Sequence, residues 1–401
     1  MGTFKYRLRA NSGPFSIEDY RVRARRSVPD AVWSFIDYGA DDLQTMHANR
    51  RAFSRYSLRS RVLTGNEATD LSVTVAGTPV SLPVLLAPTG GVGMAHWSGE
   101  VGVARAAEAA GTVSILSTSS TYSFEEVAEA TTRGHFFQLY PWADVSSGRH
   151  DLTESLINRA RRAGYRAMVV TIDVPTVGNR EAERKRGRGT NKMLPDVTPA
   201  RVLDAATKPR WVAGFLRHKR FSMRNLTESV GAAAAESSIS MQYRMTRPEL
   251  NWDDLAWMRD HWDGPMYVKG ILDADDAEQA VGLGADGLVV SNHGGRQLDG
   301  APASLDALPA IVARVGDRAD IWLDGGIRRG SDVIKALCLG ASAVCVGRPH
   351  LYGMAVSGAD GARHVIEILR EEMLRTMTLM GVAQVSDLGP SWLLPSDTRL
   401  P

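Results

Sequence analysis

The residues best suited to chemistry cluster in one stretch, Ser291-Asn292-His293-Gly294-Gly295-Arg296-Gln297-Leu298-Asp299-Gly300. A histidine has an ordinary pKa near ~6.5, so His293 can serve as a base at neutral pH. Arg296, three residues on, can fork onto a carboxylate. A base beside an anion anchor suits proton abstraction from an acid. The plainer reading is a loop histidine beside a solvated surface charge. Other residues weigh against that reading. Asp173 could orient His293 and stabilise its protonated form, Arg180 could be a second anchor, and Tyr140 could donate a hydrogen bond to a substrate oxygen. Lys269 closes an apolar run and would be a costly buried cation unless paired. A structural salt bridge and a cation beside a ring that becomes anionic on reduction are both open for it.

Two further motifs point to a bound phosphate. Asp324-Gly325-Gly326-Ile327-Arg328-Arg329-Gly330 and Gly347-Arg348-Pro349 each follow an apolar run. Glycines let backbone N–H groups approach phosphate oxygens, and arginines supply charge. A permanently held phosphate suggests a cofactor, and the glycines of Thr89 to Gly93 leave room for a flat ring.

Eight short apolar runs must carry these residues: Val84–Pro88, Val113–Ser117, Phe136–Tyr140, Ala167–Asp173, Met266–Gly270, Gly287–His293, Ile321–Gly326 and Ala343–Arg348. They read as strands buried on both faces. Helical segments alternate with them: Glu100–Ala110, Phe124–Ala130, Thr153–Ala163, Ala274–Leu283, Leu305–Val315, Ser331–Leu339 and Gly361–Met380. This pattern predicts an α/β fold, a (β/α)8 TIM barrel. A doubly wound sheet is the alternative. Polar residues end nearly every strand, and only in a barrel do those ends converge on one mouth. Helices over Ser16–Arg26, Ala31–Tyr38 and Asp41–Phe53 precede the barrel. The expected organisation is one domain, with a barrel over about residues 82–380, a helical cover over about 16–60 and a lid insertion after the fourth strand over about 184–250.

The insertion is basic from Arg184 to Arg224, with Trp211, Phe215 and Phe221 interleaved. A lid over the barrel mouth is the simpler expectation. A weak contact with anionic lipid headgroups is the sharper one, although no continuous apolar face shows in the sequence. The chain has 401 residues, 44% of them hydrophobic, ample for one large domain. A net charge of +2 offers no global field for nucleic acid. Cys338 and Cys345 suggest neither a disulfide scaffold nor a metal site, so a reducing cytoplasm is expected. Met1 to Pro14 has no apolar core of a secretory signal, and no run is long and apolar enough to span a membrane.

These motifs, in this order, resemble the FMN-dependent 2-hydroxy acid oxidase and dehydrogenase family, which includes glycolate oxidase, mandelate dehydrogenase and L-lactate dehydrogenase. The resemblance runs from about Tyr20 to Leu388. It rests on Ala87-Pro88-Thr89-Gly90, Gln138-Leu139-Tyr140, Thr171-Ile172-Asp173-Val174-Pro175, Arg180-Glu181, Val268-Lys269-Gly270, Ser291 to Asp299, Asp324 to Gly330 and Gly347-Arg348-Pro349. It implies FMN as cofactor and oxidation of an (S)-2-hydroxy acid to the 2-oxo acid. His293 would be the base and Asp173 its support. Arg180 and Arg296 would bind the substrate carboxylate, and Tyr140 the hydroxyl. Lys269 would stabilise reduced flavin. Ser117, Gln138, Thr171 and Ser291 would hydrogen-bond the ring or ribityl chain, with Pro88, Thr89 and Gly90 against the ring. Asp324, Gly326, Arg328, Gly347 and Arg348 would hold ribityl and phosphate. The electron acceptor would be oxygen, a quinone or a carrier, and the assembly a homo-oligomer, a tetramer by resemblance. No metal is implied.

There are departures. The family places a tyrosine four residues before the Gly-Ala pair that here is Gly39-Ala40, where its hydroxyl helps bind the carboxylate; this chain has Phe35. Tyr38 is a conceivable substitute donor. Gly90 resembles mandelate dehydrogenase more than glycolate oxidase, which favours an acceptor other than oxygen. Ser119 stands where glycolate oxidase has tryptophan, and Trp142 follows Tyr140 by two. A larger or aromatic acid, such as a mandelate or lactate-type substrate, is expected. Phe35 keeps a carboxylate-modified or natural-product substrate as the alternative. A flavin-binding protein without catalysis would need none of His293, Arg296, Arg180 or Tyr140.

Overall fold

The computed structural model describes residues 13–66, 68–142, 150–186, 197–226 and 246–396. The barrel strands are β1 Val84–Leu86, β2 Ile115–Ser117, β3 Phe136–Leu139, β4 Ala167–Thr171, β5 Met266–Ile271, β6 Gly287–Val290, β7 Asp320–Asp324 and β8 Ala343–Val346. β2 through β8 pair in parallel with their neighbours in the chain, β8 pairs with β1, and a bridge between Leu86 and Ser114 closes β1 onto β2. That closure makes a (β/α)8 barrel and excludes the doubly wound sheet. Except for β2 and β5, the strands end before the apolar runs do, because pairing stops where the chain turns at the mouth, and those turns carry the polar residues.

The lower half of the barrel is solid. Trp322 stacks on Tyr267 at 3.9 Å and on Phe136 at 5.9 Å, and the Tyr267 hydroxyl donates to Asp320 at 2.8 Å. Val75 and Val80 join this core from a hairpin, Val73–Val75 with Thr78–Val80, which plugs the N-terminal end. Truncating a ring such as Trp322 would cost about 3–5 kcal/mol. The filled floor confines any ligand to the upper half.

The N-terminal cover comprises helices Ile17–Ser27, Asp30–Asp37 and Gln44–Ala52. Ser16 caps the first, accepting from Asp19 N–H at 3.1 Å. Arg21 forks onto Asp37 with two 2.8 Å bonds, and Tyr352 donates to the same carboxylate at 2.6 Å. These contacts pin the second helix, and Phe35 with it. The expected helix over Asp41–Phe53 starts three residues later because Asp41 and Leu43 have positive φ.

The final helix, Arg348–Met380, begins earlier than expected and bends at Ser357 and Gly358. Gly358 has φ +60°, a conformation other residues adopt only with strain. A strand Leu393–Pro395 pairs antiparallel with Tyr56–Leu58, tying the C-terminal segment to the cover.

The insertion includes helices Glu181–Lys185, Pro199–Ala206, Pro209–His218 and Trp252–Asp260. Residues 187–196 and 227–245 of the expected lid, with Arg188 and Lys192, lie outside the described residues, as do residues 1–12 of the N-terminal segment. The described part is docked on the barrel. Trp211 donates to Met94 O at 2.7 Å and Arg220 to Glu126 at 2.8 Å, while Trp211, Phe215 and Phe221 stack in a row.

Candidate active site

The loop after β6 takes its shape from three consecutive residues with positive φ: His293 at 58°, Gly294 at 65° and Gly295 at 71°. Two glycines bear this without cost, whereas a histidine there is strained by about 1–3 kcal/mol and must be held by its surroundings. They hold it at both ends. The His293 N–H donates to Ser291 Oγ at 3.0 Å, and Nδ1 lies 2.8 Å from Asp173 Oδ1.

The N-terminal cover fastens the rest of the loop. Ala40 N–H donates to Gly295 O at 2.9 Å, and a Cβ on Gly39 would come within 2.3 Å of that oxygen. Asn292 and Asn49 exchange amide hydrogen bonds at 2.7 and 2.8 Å. Asp299 accepts from Thr45 and Gln44 N–H at 2.8 and 3.1 Å, capping the third helix from outside that helix.

Burial works against ionising Asp173, but His293 and Lys269 hold its carboxyl below the usual range. An ionised Asp173 only accepts, so His293 Nδ1 carries the hydrogen and Nε2 keeps its lone pair. Burial also lowers the His293 pKa, Asp173 opposing it, so the ring is a neutral base at rest. The Tyr140 hydroxyl donates toward Nε2 at 3.4 Å and its ring stacks on Trp142 at 4.8 Å. Burial and Asp173 push that hydroxyl up to about 12, so it remains a donor.

Lys269 is buried and donates to Ser291 Oγ at 2.9 Å, with Asp324 at 3.3 Å. Desolvation disfavours its charge, but Asp324 and Asp173 raise its pKa above the ordinary lysine value. The salt bridge expected of a buried lysine is present.

A cavity of about 430 Å³ opens above these groups. Phe35, Tyr140, Trp142, Arg180, His293 and Arg296 line one part of it. Pro88, Thr89, Gly90, Ser117 and Lys269 line another, and Asp324, Gly326, Arg328, Gly347 and Arg348 a third. Gln138, Thr171 and Ser291 stand just outside that lining. Ser291 Oγ already accepts from Lys269 and His293.

The residues fit FMN. The Gln138 amide nitrogen, Thr171 Oγ1, Asp324 Oδ1 and the Nε atoms of Arg328 and Arg348 are buried without a hydrogen-bond partner among the described residues. So many stranded polar groups on the ends of neighbouring strands are costly unless a ligand meets them. A Cβ on Gly347 would touch nothing nearer than 3.8 Å, so space lies above that backbone. Gly326 answers to a different demand: a Cβ there would come within 2.1 Å of Asn49 O. A Cβ on Gly90 would come within 2.8 Å of the Ser119 Cβ.

One lining residue stood out only in the structure. Glu183 is buried between two guanidiniums, 3.3 Å from Arg296 and 3.9 Å from Arg180. Arg296 also donates to Phe35 O and Tyr38 O, both at 2.9 Å, with its guanidinium 5.2 Å from the Phe35 ring centre. The Tyr38 hydroxyl is no substitute for a tyrosine at 35, because it accepts from Arg186 at 3.4 Å and Tyr38 does not line the cavity. His350 is a second residue the sequence did not single out. Its Nδ1–H donates to Val346 O at 2.8 Å, so Nε2 accepts the Thr89 hydroxyl at 3.1 Å. Burial pushes the His350 pKa down to about 4, which keeps that pattern fixed.

A family model described as FMN-dependent dehydrogenase matches residues 24–395. The chain is 40% identical to an L-lactate oxidase of Nostoc sp., covering 96% of this chain and 100% of the relative. It is 37% identical to glycolate oxidase 1 of Oryza sativa subsp. indica, covering 96% and 97%. A crystal structure of the monotopic membrane protein (S)-mandelate dehydrogenase superimposes with a TM-score of 0.88 at 35% identity, over 96% of this chain and all of the other.

Proposed function

The chain belongs to the FMN-dependent dehydrogenase family, and from that premise we propose that it oxidises a larger or aromatic (S)-2-hydroxy acid, of mandelate or lactate type, to the 2-oxo acid, with His293 as base. FMN, when bound, supplies the two-electron acceptor. Arg180 and Arg296 bind the substrate carboxylate and so fix which face of the 2-carbon is presented. Tyr140 donates to the hydroxyl oxygen. His293 Nε2 takes a proton from the substrate, and Asp173 stabilises the imidazolium that results. Pro88, Thr89, Gly90, Ser117, Gln138, Thr171, Lys269 and Ser291 serve the flavin ring and ribityl chain. Asp324, Gly326, Arg328, Gly347 and Arg348 serve ribityl and phosphate.

The observation that carries the reading is the orientation of His293, with Nδ1 on Asp173 and Nε2 toward Tyr140. Anaerobic mixing of the yellow protein with lactate, glycolate, mandelate and phenyllactate tests it. Bleaching by an aromatic acid supports it, and no bleaching by any of them would refute it. Readmitting air then tells an oxidase from a dehydrogenase; Gly90 favours a quinone or carrier over oxygen.

A second reading, the same chemistry on a carboxylate-modified substrate, is favoured by Phe35 and by the Glu183 carboxylate beside the arginines. We further propose a cytoplasmic homo-oligomer, a tetramer as the family resemblance suggests. Its basic insertion would make weak contact with an anionic membrane surface. Val197, Val202, Leu203 and Leu216 are exposed in the insertion, as are Arg210, Arg217 and Lys219, which supplies both the apolar and the cationic side chains such a contact needs. No described helix is long and apolar enough to cross a membrane.

A further inference from the structure

Two arginines facing one substrate carboxylate form a strongly cationic cradle, but here a third charge is built into it. Glu183 lies three residues after Arg180, on the helix that starts the insertion, so both side chains reach the same side of the cavity. Glu183 is 8% exposed, and its carboxylate sits 3.3 Å from the Arg296 guanidinium. The two backbone carbonyls of Phe35 and Tyr38 take the other end of that guanidinium. Arg296 is thereby braced on three protein oxygens before any substrate arrives. Arg180 has its Nε buried without a hydrogen-bond partner among the described residues, and it lies close enough to His293 and Tyr140 to act on both electrostatically. Arg184, the other lining arginine of this helix, is held by the Asn179 side chain. At Phe35 the cradle is closed by a hydrocarbon ring with no hydroxyl to offer.

We infer that Glu183 is the residue that sets how strongly this site selects a carboxylate. It offsets part of the arginine charge, so that neutral 2-hydroxy amides or esters compete with the acid. Resting on the assignment of Arg180 and Arg296 as carboxylate partners, this inference names a specificity determinant that those arginines alone do not supply. In a cavity of low dielectric, a fixed carboxylate repels an incoming one more than it would in water. Removing the charge while keeping the shape should therefore tighten anions and leave neutral isosteres alone.

Phenylacetate and phenylacetamide are suitable probes, because neither has a 2-hydroxyl to oxidise. Their binding to the FMN-loaded protein is read from the change in flavin absorbance. Glu183→Gln should bind phenylacetate about tenfold tighter than the wild type, with phenylacetamide unchanged. Glu183→Asp, which keeps the charge, should return phenylacetate to near the wild-type value. Equal shifts for both probes would show a merely structural role and overturn the inference, as would an unchanged phenylacetate affinity. Arg180→Met separates the two failures. If it weakens phenylacetate while Glu183→Gln does nothing, only the inference about Glu183 falls. If neither variant alters phenylacetate, the carboxylate assignment of the arginines falls with it.

Discussion

Asp173 Oδ1 and His293 Nδ1 lie 2.8 Å apart, beyond the ends of β4 and β6 and 120 residues apart in the chain. The pair fixes which ring nitrogen bears hydrogen, and Lys269 acts on the same carboxylate from the strand between them. The free lone pair of the proposed base is therefore set by a hydrogen bond and not by an unusual pKa alone.

Asp173→Asn removes that control. The amide can donate as well as accept, so the tautomer with Nε2–H becomes available and the imidazolium loses its counter-charge. In serine proteases the corresponding change costs ~10⁴ in rate. Here the anaerobic rate of flavin reduction should fall by about 10²–10⁴, with FMN content unchanged, when followed by stopped-flow absorbance.

The pH dependence follows from the depressed His293 pKa. Only the neutral ring can accept a proton, so kcat/KM should rise with pH through a value below the ordinary ~6.5 and be flat at neutrality. Tyr140, pushed up to about 12, stays protonated across the usual alkaline range and adds no second limb there. A pH–rate profile with its acidic limb centred above 7 would contradict this.

Phe35→Tyr should restore a donor beside Arg296, whose guanidinium lies 5.2 Å from the ring centre. One hydrogen bond is worth about 0.5–1.5 kcal/mol, so KM for a 2-hydroxy acid should drop roughly two- to tenfold with little change in kcat. Steady-state kinetics on mandelate and lactate would show it.

The exposed leucines of the insertion make the membrane reading measurable. Vesicles containing phosphatidylserine should co-sediment the protein at low salt and release it as salt rises. Replacing Leu203 and Leu216 with Glu should abolish the pelleting without altering flavin reduction in solution.

Much of this was legible in the sequence. Strands buried on both faces leave continuous apolar runs, which is why all eight could be located and why their polar ends marked the mouth. His293 and Arg296 stood out by residue type and spacing, whereas the positive φ of His293, Gly294 and Gly295 that shapes their loop was seen only in the fold. What stayed hidden was short, or depended on contacts distant in sequence. The hairpin Val73–Val75 with Thr78–Val80 has three residues per strand, too few to show a period. Glu183 sits in a run of charges from Arg180 to Arg186, where it reads as one more solvated side chain. Only folding shows that it is buried against Arg296. The start of the last helix was masked by Gly347-Arg348-Pro349, which reads as an anion loop although proline is well tolerated in a helix's first turn.

The most direct test of the whole account is anaerobic reduction of the His293→Ala holoenzyme by the acid that bleaches the wild type. The variant should keep its yellow colour and its FMN content, yet reduce at least 10²-fold more slowly, the contribution typical of a positioned base. Reduction at the wild-type rate would show that His293 is not the base.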